Sequence, residues 1–224
     1  MNILNTSILF SLLLVLGFPM NNGSQILKSS DFIVEVSAKN SFDFENCIVN
    51  SKPENWSIAL TGEGKMCEWK IIDDAGNKVL AQVGDEKNDY RFNLIVNDEL
   101  SFKDVQIKLK YKGITGNNDQ GGGPVWRYID ENNYYVARAN PLENNYRVYK
   151  VVNGKRIQLK SARVDTKTGE WYSLKVIMKG DKIKCYFNGK LELETTDSTF
   201  KNAGKVGIWT KSDAVTYFDN FEVN

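Results

Sequence analysis

The chain has 224 residues, with 29 Lys and Arg against 28 Asp and Glu and no histidine. A formal net charge of +1 gives no electrostatic case for nucleic acid, whose recognition needs clustered Lys and Arg to displace counterions from phosphates. The missing histidines exclude a Ser-His-Asp or Cys-His nucleophile and any His-ligated zinc or iron, which leaves carboxylate chemistry, oxygen-ligated calcium, or binding without chemistry.

Residues 1–24 read as a signal peptide. The apolar run from Ile8 to Met20 is shorter than the roughly 20 residues of a membrane-spanning helix and has the proportions of a secretory h-region. This predicts export to the periplasm, cell surface or medium, with no membrane span. No Lys or Arg precedes the run, so an uncleaved interfacial anchor is the alternative. Residues 25–39 are expected to form a tail, and 40–224 a single domain. Cys47 and Cys67 pair in an oxidising compartment, or all three cysteines stay free; both states are open. Cys185 alternates with Ile183 and Phe187, which predicts a buried strand face.

From there on the chain reads with period two, and no segment sustains a helical pattern. Val105, Ile107, Leu109 and Tyr111 alternate with Gln106, Lys108 and Lys110, a half-buried strand. The glycine-rich stretch 116–123 lacks the Lys-Ser/Thr pair of a phosphate loop and is expected to be a flexible loop at one end of the fold. Asn153-Gly154 and Asn188-Gly189 each stand between strand-like runs and tolerate the positive φ angles of a type I′ hairpin turn. Gly180-Asp181 predicts a third hairpin after the strand around Leu174 and Val176. Asp197 to Asn202 is expected to form one short helical turn. These elements predict an all-β domain, an antiparallel two-sheet sandwich.

Two stretches go beyond generic strand patterning: Gly122 to Lys155, GGPVWRYIDENNYYVARANPLENNYRVYKVVNGK, and Phe200 to Phe221, FKNAGKVGIWTKSDAVTYFDNF. With Trp171 to Val176 and Tyr186 to Gly189, they resemble the concanavalin A-like, laminin-G-like jelly rolls. More closely, the chain is similar to the exported bacterial subgroup termed 3-keto-disaccharide hydrolase-like or family 16 glycoside hydrolase-like. The resemblance implies a two-sheet jelly roll with a concave face on which relatives bind glycans. It does not carry catalysis over, because the Glu-x-Asp-x-x-Glu strand motif of true family 16 glucanases has no match. The nearest string, Glu192 to Asp197, reads as a solvated outer face.

Strand register places the candidate ligand residues on the hairpin region 122–160. With Asp130 to Asn133 as one turn and Asn153-Gly154 as another, Val148 pairs with Leu159. One face then holds Val125, Arg127, Ile129, Tyr134, Val136, Arg138, Val148, Val152, Ile157 and Leu159. The other holds Trp126, Tyr128, Tyr135, Ala137, Ala139, Arg147, Tyr149 and Gln158. Flat rings beside small alanines suit a sugar platform, but a slip of one residue inverts the assignment, so which face is open stays undecided. The expected ligand-binding residues are Trp126, Arg127, Tyr128, Tyr135, Arg138, Asn140, Arg147 and Tyr149. Should the domain be an enzyme acting on a modified disaccharide, Glu143, Asp130 and Asp213 are the carboxylates to consider. Asp43 and Asp219, on the terminal strands, are the candidates for a structural calcium. A third possibility, a laminin-G-like module with a protein partner, follows from the fold alone.

Overall fold

A computed structural model describes residues 40–224. The expectations for residues 1–39, signal peptide and tail, lie outside the described residues. Among the described residues, fifteen strands follow one another: β1 (Asn40–Phe42), β2 (Trp56–Gly62), β3 (Trp69–Asp74), β4 (Asn77–Gln82), β5 (Arg91–Phe102), β6 (Val105–Thr115), β7 (Gly122–Asp130), β8 (Asn133–Asn140), β9 (Asn145–Val152), β10 (Lys155–Arg163), β11 (Tyr172–Lys179), β12 (Lys182–Phe187), β13 (Lys190–Thr196), β14 (Gly204–Lys211) and β15 (Val215–Val223). They form two antiparallel sheets. The first runs β13-β12-β11-β6-β15-β4-β3 with β1 added on β15, and the second runs β10-β9-β8-β7-β14-β5-β2. No helix among the described residues is long and apolar enough to cross a membrane.

Period-two alternation builds the core between the sheets. Val105, Ile107, Leu109 and Tyr111 of β6 are buried, and the register sets the first three beside Met178, Val176 and Leu174 of β11. Cys185 of β12 lies against Val176, fully buried as its alternation predicts. The second sheet answers with Trp126, Tyr135, Ala137, Ala139, Tyr146, Val148 and Ile208 in the same apolar cluster. Across the gap, the Trp126 indole donates to the Met178 sulfur at 3.0 Å. At the termini, Phe42 pairs with Phe221, and both rings pack on Trp56 at 5.4 Å between centroids.

The hairpin turns form where the turn chemistry places them. Asn153 and Gly154 have φ of 48° and 77°, and Asn188 and Gly189 have 46° and 83°, the signature of a type I′ turn. Three expectations need correction, and one open alternative is decided. Asp197 to Asn202 holds no helical turn. Instead the Asp197 carboxylate accepts the Thr199 N–H at 2.9 Å, the Tyr135 hydroxyl at 2.6 Å and Lys150 Nζ at 2.8 Å, which satisfies an irregular segment without a helix. Of the two cysteine states left open, the free one is found: Cys47, Cys67 and Cys185 are all unpaired, and the Cys67 thiol donates to the Ala59 carbonyl at 3.2 Å. A β-bulge between Gln158 and Lys160 pairs Val148 with Lys160 instead of Leu159. Finally, the glycine-rich loop is tied down. The Asp213 carboxylate accepts the N–H groups of Asn117, Asn118 and Asp119 at 2.8–3.1 Å, and the Gln120 carbonyl accepts the Tyr111 hydroxyl at 2.6 Å.

Candidate functional site: the outward face of the seven-stranded sheet

The turn from Pro141 to Asn144 sets the geometry of the site. It places Asn140 opposite Asn145, hence Arg138 opposite Arg147 and Val136 opposite Tyr149. This parity divides the residues expected on two faces differently from the sequence argument. Trp126, Tyr135, Ala137 and Ala139 are fully buried between the sheets, with the first two rings stacked at 5.6 Å. The expected sugar platform is therefore core, and Val148 joins it. Tyr149 and Arg147 turn outward with Arg138, Val136 and Tyr134, because the length of the β8–β9 turn decides which residues of β9 share a face with β8.

Outward of the sheet, the rings of Phe92, Tyr134, Tyr149 and Trp209 form a second apolar cluster with Leu94, Val96, Val125, Val136 and Val151. Tyr128 stacks on Tyr134 at 6.0 Å and packs against this cluster. Arg156, two residues past Gly154, lays its guanidinium over the rings of Tyr149 at 4.7 Å, Phe92 at 4.9 Å and Trp209 at 5.6 Å.

Polar groups crowd one end of this floor. Glu143 Oε2 accepts Arg138 Nη2 at 2.8 Å and Asn145 Nδ2 at 2.8 Å, and forms an ion pair with Arg147 Nη1 at 2.9 Å. Arg138 also donates to Asn145 Oδ1 at 2.6 Å and to the Tyr149 hydroxyl at 3.3 Å. Partial burial raises the Glu143 carboxyl, but the Arg138 bond and charge, with Asn145 and Arg147, outweigh it and hold the group down at about 2. Asp119, 2% exposed, lies on the other side of the network. It accepts the Gly121 N–H at 2.6 Å and Asn140 Nδ2 at 3.1 Å, with Lys211 Nζ at 3.8 Å. Burial pushes its carboxyl up, against the lowering effect of Arg138. Beside Glu143 an open cleft of ≈ 390 Å³ is lined by Glu143, Asn145, Arg147, Ser161 and Arg163 among others.

The remaining expected residues have structural tasks. Arg127 sits at φ 46° in a bulge of β7, buried, and donates to the carbonyls of Lys103, Phe200 and Gly180. Asn140 is buried and spends its side chain on Asp119 and the Leu142 N–H. Asp130 caps its own turn through the Asn132 N–H and Asn133 Nδ2. Asp130 and Glu143 flank opposite ends of the eight-residue β8, so roughly 25 Å of strand separates them. That is far beyond the ~5–5.5 Å of a retaining carboxylate pair. Asp213 anchors the glycine-rich loop, so these three carboxylates do not converge as a catalytic set. Asp43 accepts the Glu45 N–H, Asp219 accepts from Asn77 and Asn220, and no three His, Cys, Asp or Glu among the described residues gather into a metal-binding group.

Sequence reasoning missed Phe92, Asp119, Asn145, Arg156 and Trp209. Trp209 was within reach of alternation, since Val206 and Ile208 of β14 point into the core and Gly207 and Trp209 point away. Asp119 carries no such signal, because its position depends on how Asp213 folds the loop.

Two stacked antiparallel sheets with an aromatic, arginine-rich outer face define a concanavalin A-like β-sandwich. The fold is shared with the carbohydrate binding module CBM66 from Bacillus subtilis (TM-score 0.62, 20% identity, covering 75% of this chain and 94% of that one). A Bacillus subtilis protein of unknown function with a galectin-like fold is similar at TM-score 0.53 and 14% identity, covering 76% of this chain and 89% of that one. The GH43 protein BlXynB from Bacillus licheniformis is similar at TM-score 0.55 and 17% identity over 82% of this chain, which spans 39% of that larger protein. A search of curated proteins returns no match. The family is nevertheless defined: residues 42–224 match the 3-keto-alpha-glucoside-1,2-lyase-like domain, and the chain belongs to that family.

Proposed function

We propose that this domain recognises a glycan on the outward face of the seven-stranded sheet, at the polar end formed by Arg138, Glu143, Asn145, Arg147 and Tyr149. The observation that carries the reading is the constellation itself. Fixed donors and one ionised acceptor border an open polar cleft above a buried aromatic layer, and sugars are bound by such aimed hydrogen bonds on a rigid support. Family membership and the likeness to a carbohydrate binding module support it. Export through the apolar run Ile8 to Met20 accords with a ligand outside the cell. Affinity electrophoresis against a panel of polysaccharides tests the reading. Arg147→Ala and Tyr149→Ala, which leave the inter-sheet core intact, are expected to weaken binding by about tenfold or more. Unchanged binding in folded variants, or no binding to any glycan, would sink it.

A second reading, catalysis on a modified disaccharide, is favoured by one observation. Asp119 and Glu143 flank Arg138, and their surroundings push the two carboxyls in opposite directions, as an acid and a base require. Incubation with 3-keto-glucosides and ordinary disaccharides decides it. Turnover that disappears in Asp119→Asn would promote this reading above binding.

A further inference from the structure

The outward face holds more positive charge than it neutralises. Glu143 is shared between Arg138 and Arg147, and Asp119 has Lys211 beside it. Arg156 has neither: it makes no ion pair among the described residues, and its Nη1 is shut off from solvent with no acceptor. Arg138 Nε, on a side chain 1% exposed, is likewise buried without an acceptor. Both guanidinium carbons lie within reach of the same ring, Tyr149, at 4.7 Å for Arg156 and 5.8 Å for Arg138. A guanidinium stays protonated and offers five donors in a planar fork; that of Arg138 has Glu143, whereas that of the half-buried Arg156 has no anion paired with it. The fork matches a carboxylate above other anions, and this face already holds one carboxylate, that of Glu143, between two arginines.

We propose that the glycan is acidic, and that the carboxylate of a uronic acid unit is the missing partner of Arg156 beside Tyr149. This rests on the glycan reading above and adds the substrate class. Burial, with Arg138 as a like-charged neighbour, outweighs Tyr149 and Asp119 and holds the Arg156 guanidinium below its ordinary range, a shift that an added carboxylate would oppose.

The test is calorimetric titration of the full chain with oligomers of galacturonate, glucuronate and mannuronate, each beside its carboxyl-reduced neutral counterpart, and with a sulfated dextran. At least one uronate is expected to bind about tenfold or more tighter than its reduced form, with a preference that shrinks as salt is added. Arg156→Gln is expected to abolish the preference while leaving the chain folded, because the cation it removes is half-buried and makes no ion pair among the described residues. Arg156→Lys, which keeps the charge but not the fork and serves if the glutamine variant fails to fold, is expected to lose most of it. Equal binding of acidic and reduced forms, undiminished preference in either variant, or sulfated dextran bound as tightly as the best uronate overturns the proposal. Binding confined to neutral oligomers overturns the acidic assignment and leaves glycan recognition standing, whereas binding to no glycan overturns both.

Discussion

Arg138 and Arg147 stand opposite each other on neighbouring strands, an arrangement of like charges that repels unless an anion lies between them. Glu143 supplies that anion from the adjoining turn, which explains why its carboxyl is held at about 2, against an ordinary value of 4.5. Because the folded value lies below the unfolded one, the stabilisation is complete above about pH 4.5 and is lost as pH falls toward 2. Asp197, held at about 2 mainly by Lys150 against its burial, acts in the same direction. Urea unfolding at pH 7, 4 and 2.5 is therefore expected to show falling stability across that window, with a shallower fall in Glu143→Gln. A variant whose pH dependence matches that of the parent chain would refute the bridging role. Trp126 and Tyr135 teach the complementary point. Two aromatic residues beside alanines read equally well as a sugar platform or as core, and the side chains alone contain nothing that separates the two.

Hairpins are where local sequence speaks most directly, and the two Asn-Gly turns differ in an instructive way. Gly154 has φ 77° and Gly189 has φ 83°, so an alanine at either position carries the left-handed strain of about 1–2 kcal/mol. A Cβ at Gly189 meets nothing within 4 Å, whereas one at Gly154 lands 3.0 Å from the Tyr90 hydroxyl and 3.1 Å from Asn132 Oδ1. That hydroxyl also donates to the Gly154 carbonyl at 3.0 Å. Gly154→Ala is thus expected to cost about 0.5–1.5 kcal/mol more than Gly189→Ala in thermal unfolding. Equal losses would show that the Tyr90 contact is dispensable. In the β14–β15 turn, Asp213→Ala orphans the N–H groups of Asn117, Asn118 and Asp119. It is expected to cost about 1–3 kcal/mol and to speed hydrogen exchange across 117–121 specifically. Exchange that stays slow in that loop would mean another anchor holds it.

Stability of the sandwich comes from apolar burial between the sheets, without disulfides. Cys67 and Cys185 are buried, and burial raises both thiols, so the reactive thiolate is scarce as well as inaccessible. A thiol reagent is expected to reach the half-buried Cys47 in the native protein, and the other two only after denaturation. Reducing agent should leave the melting temperature unchanged. Two thiols unreactive even in denaturant without reductant would reveal a disulfide and contradict this arrangement.

The all-β class, the hairpin turns and the buried rows of β6, β11 and β12 were legible in the chain, because alternation and Asn-Gly turns are local properties of the backbone. So was the family, carried by the stretches 122–155 and 200–221. Which face of the second sheet lies outward was not legible. Side chains alternate with a period of two, so every turn length and every bulge, between Trp126 and Asp130 or between Gln158 and Lys160, resets the parity of the next stretch of strand. The site itself depends on that parity several times over. Arg138, Glu143, Tyr149, Arg156 and Trp209 come from separate strands and a turn, and Asp119 from a loop held by Asp213. Only sheet order and register bring them to one end of one face, since no local pattern records which distant strand becomes a neighbour.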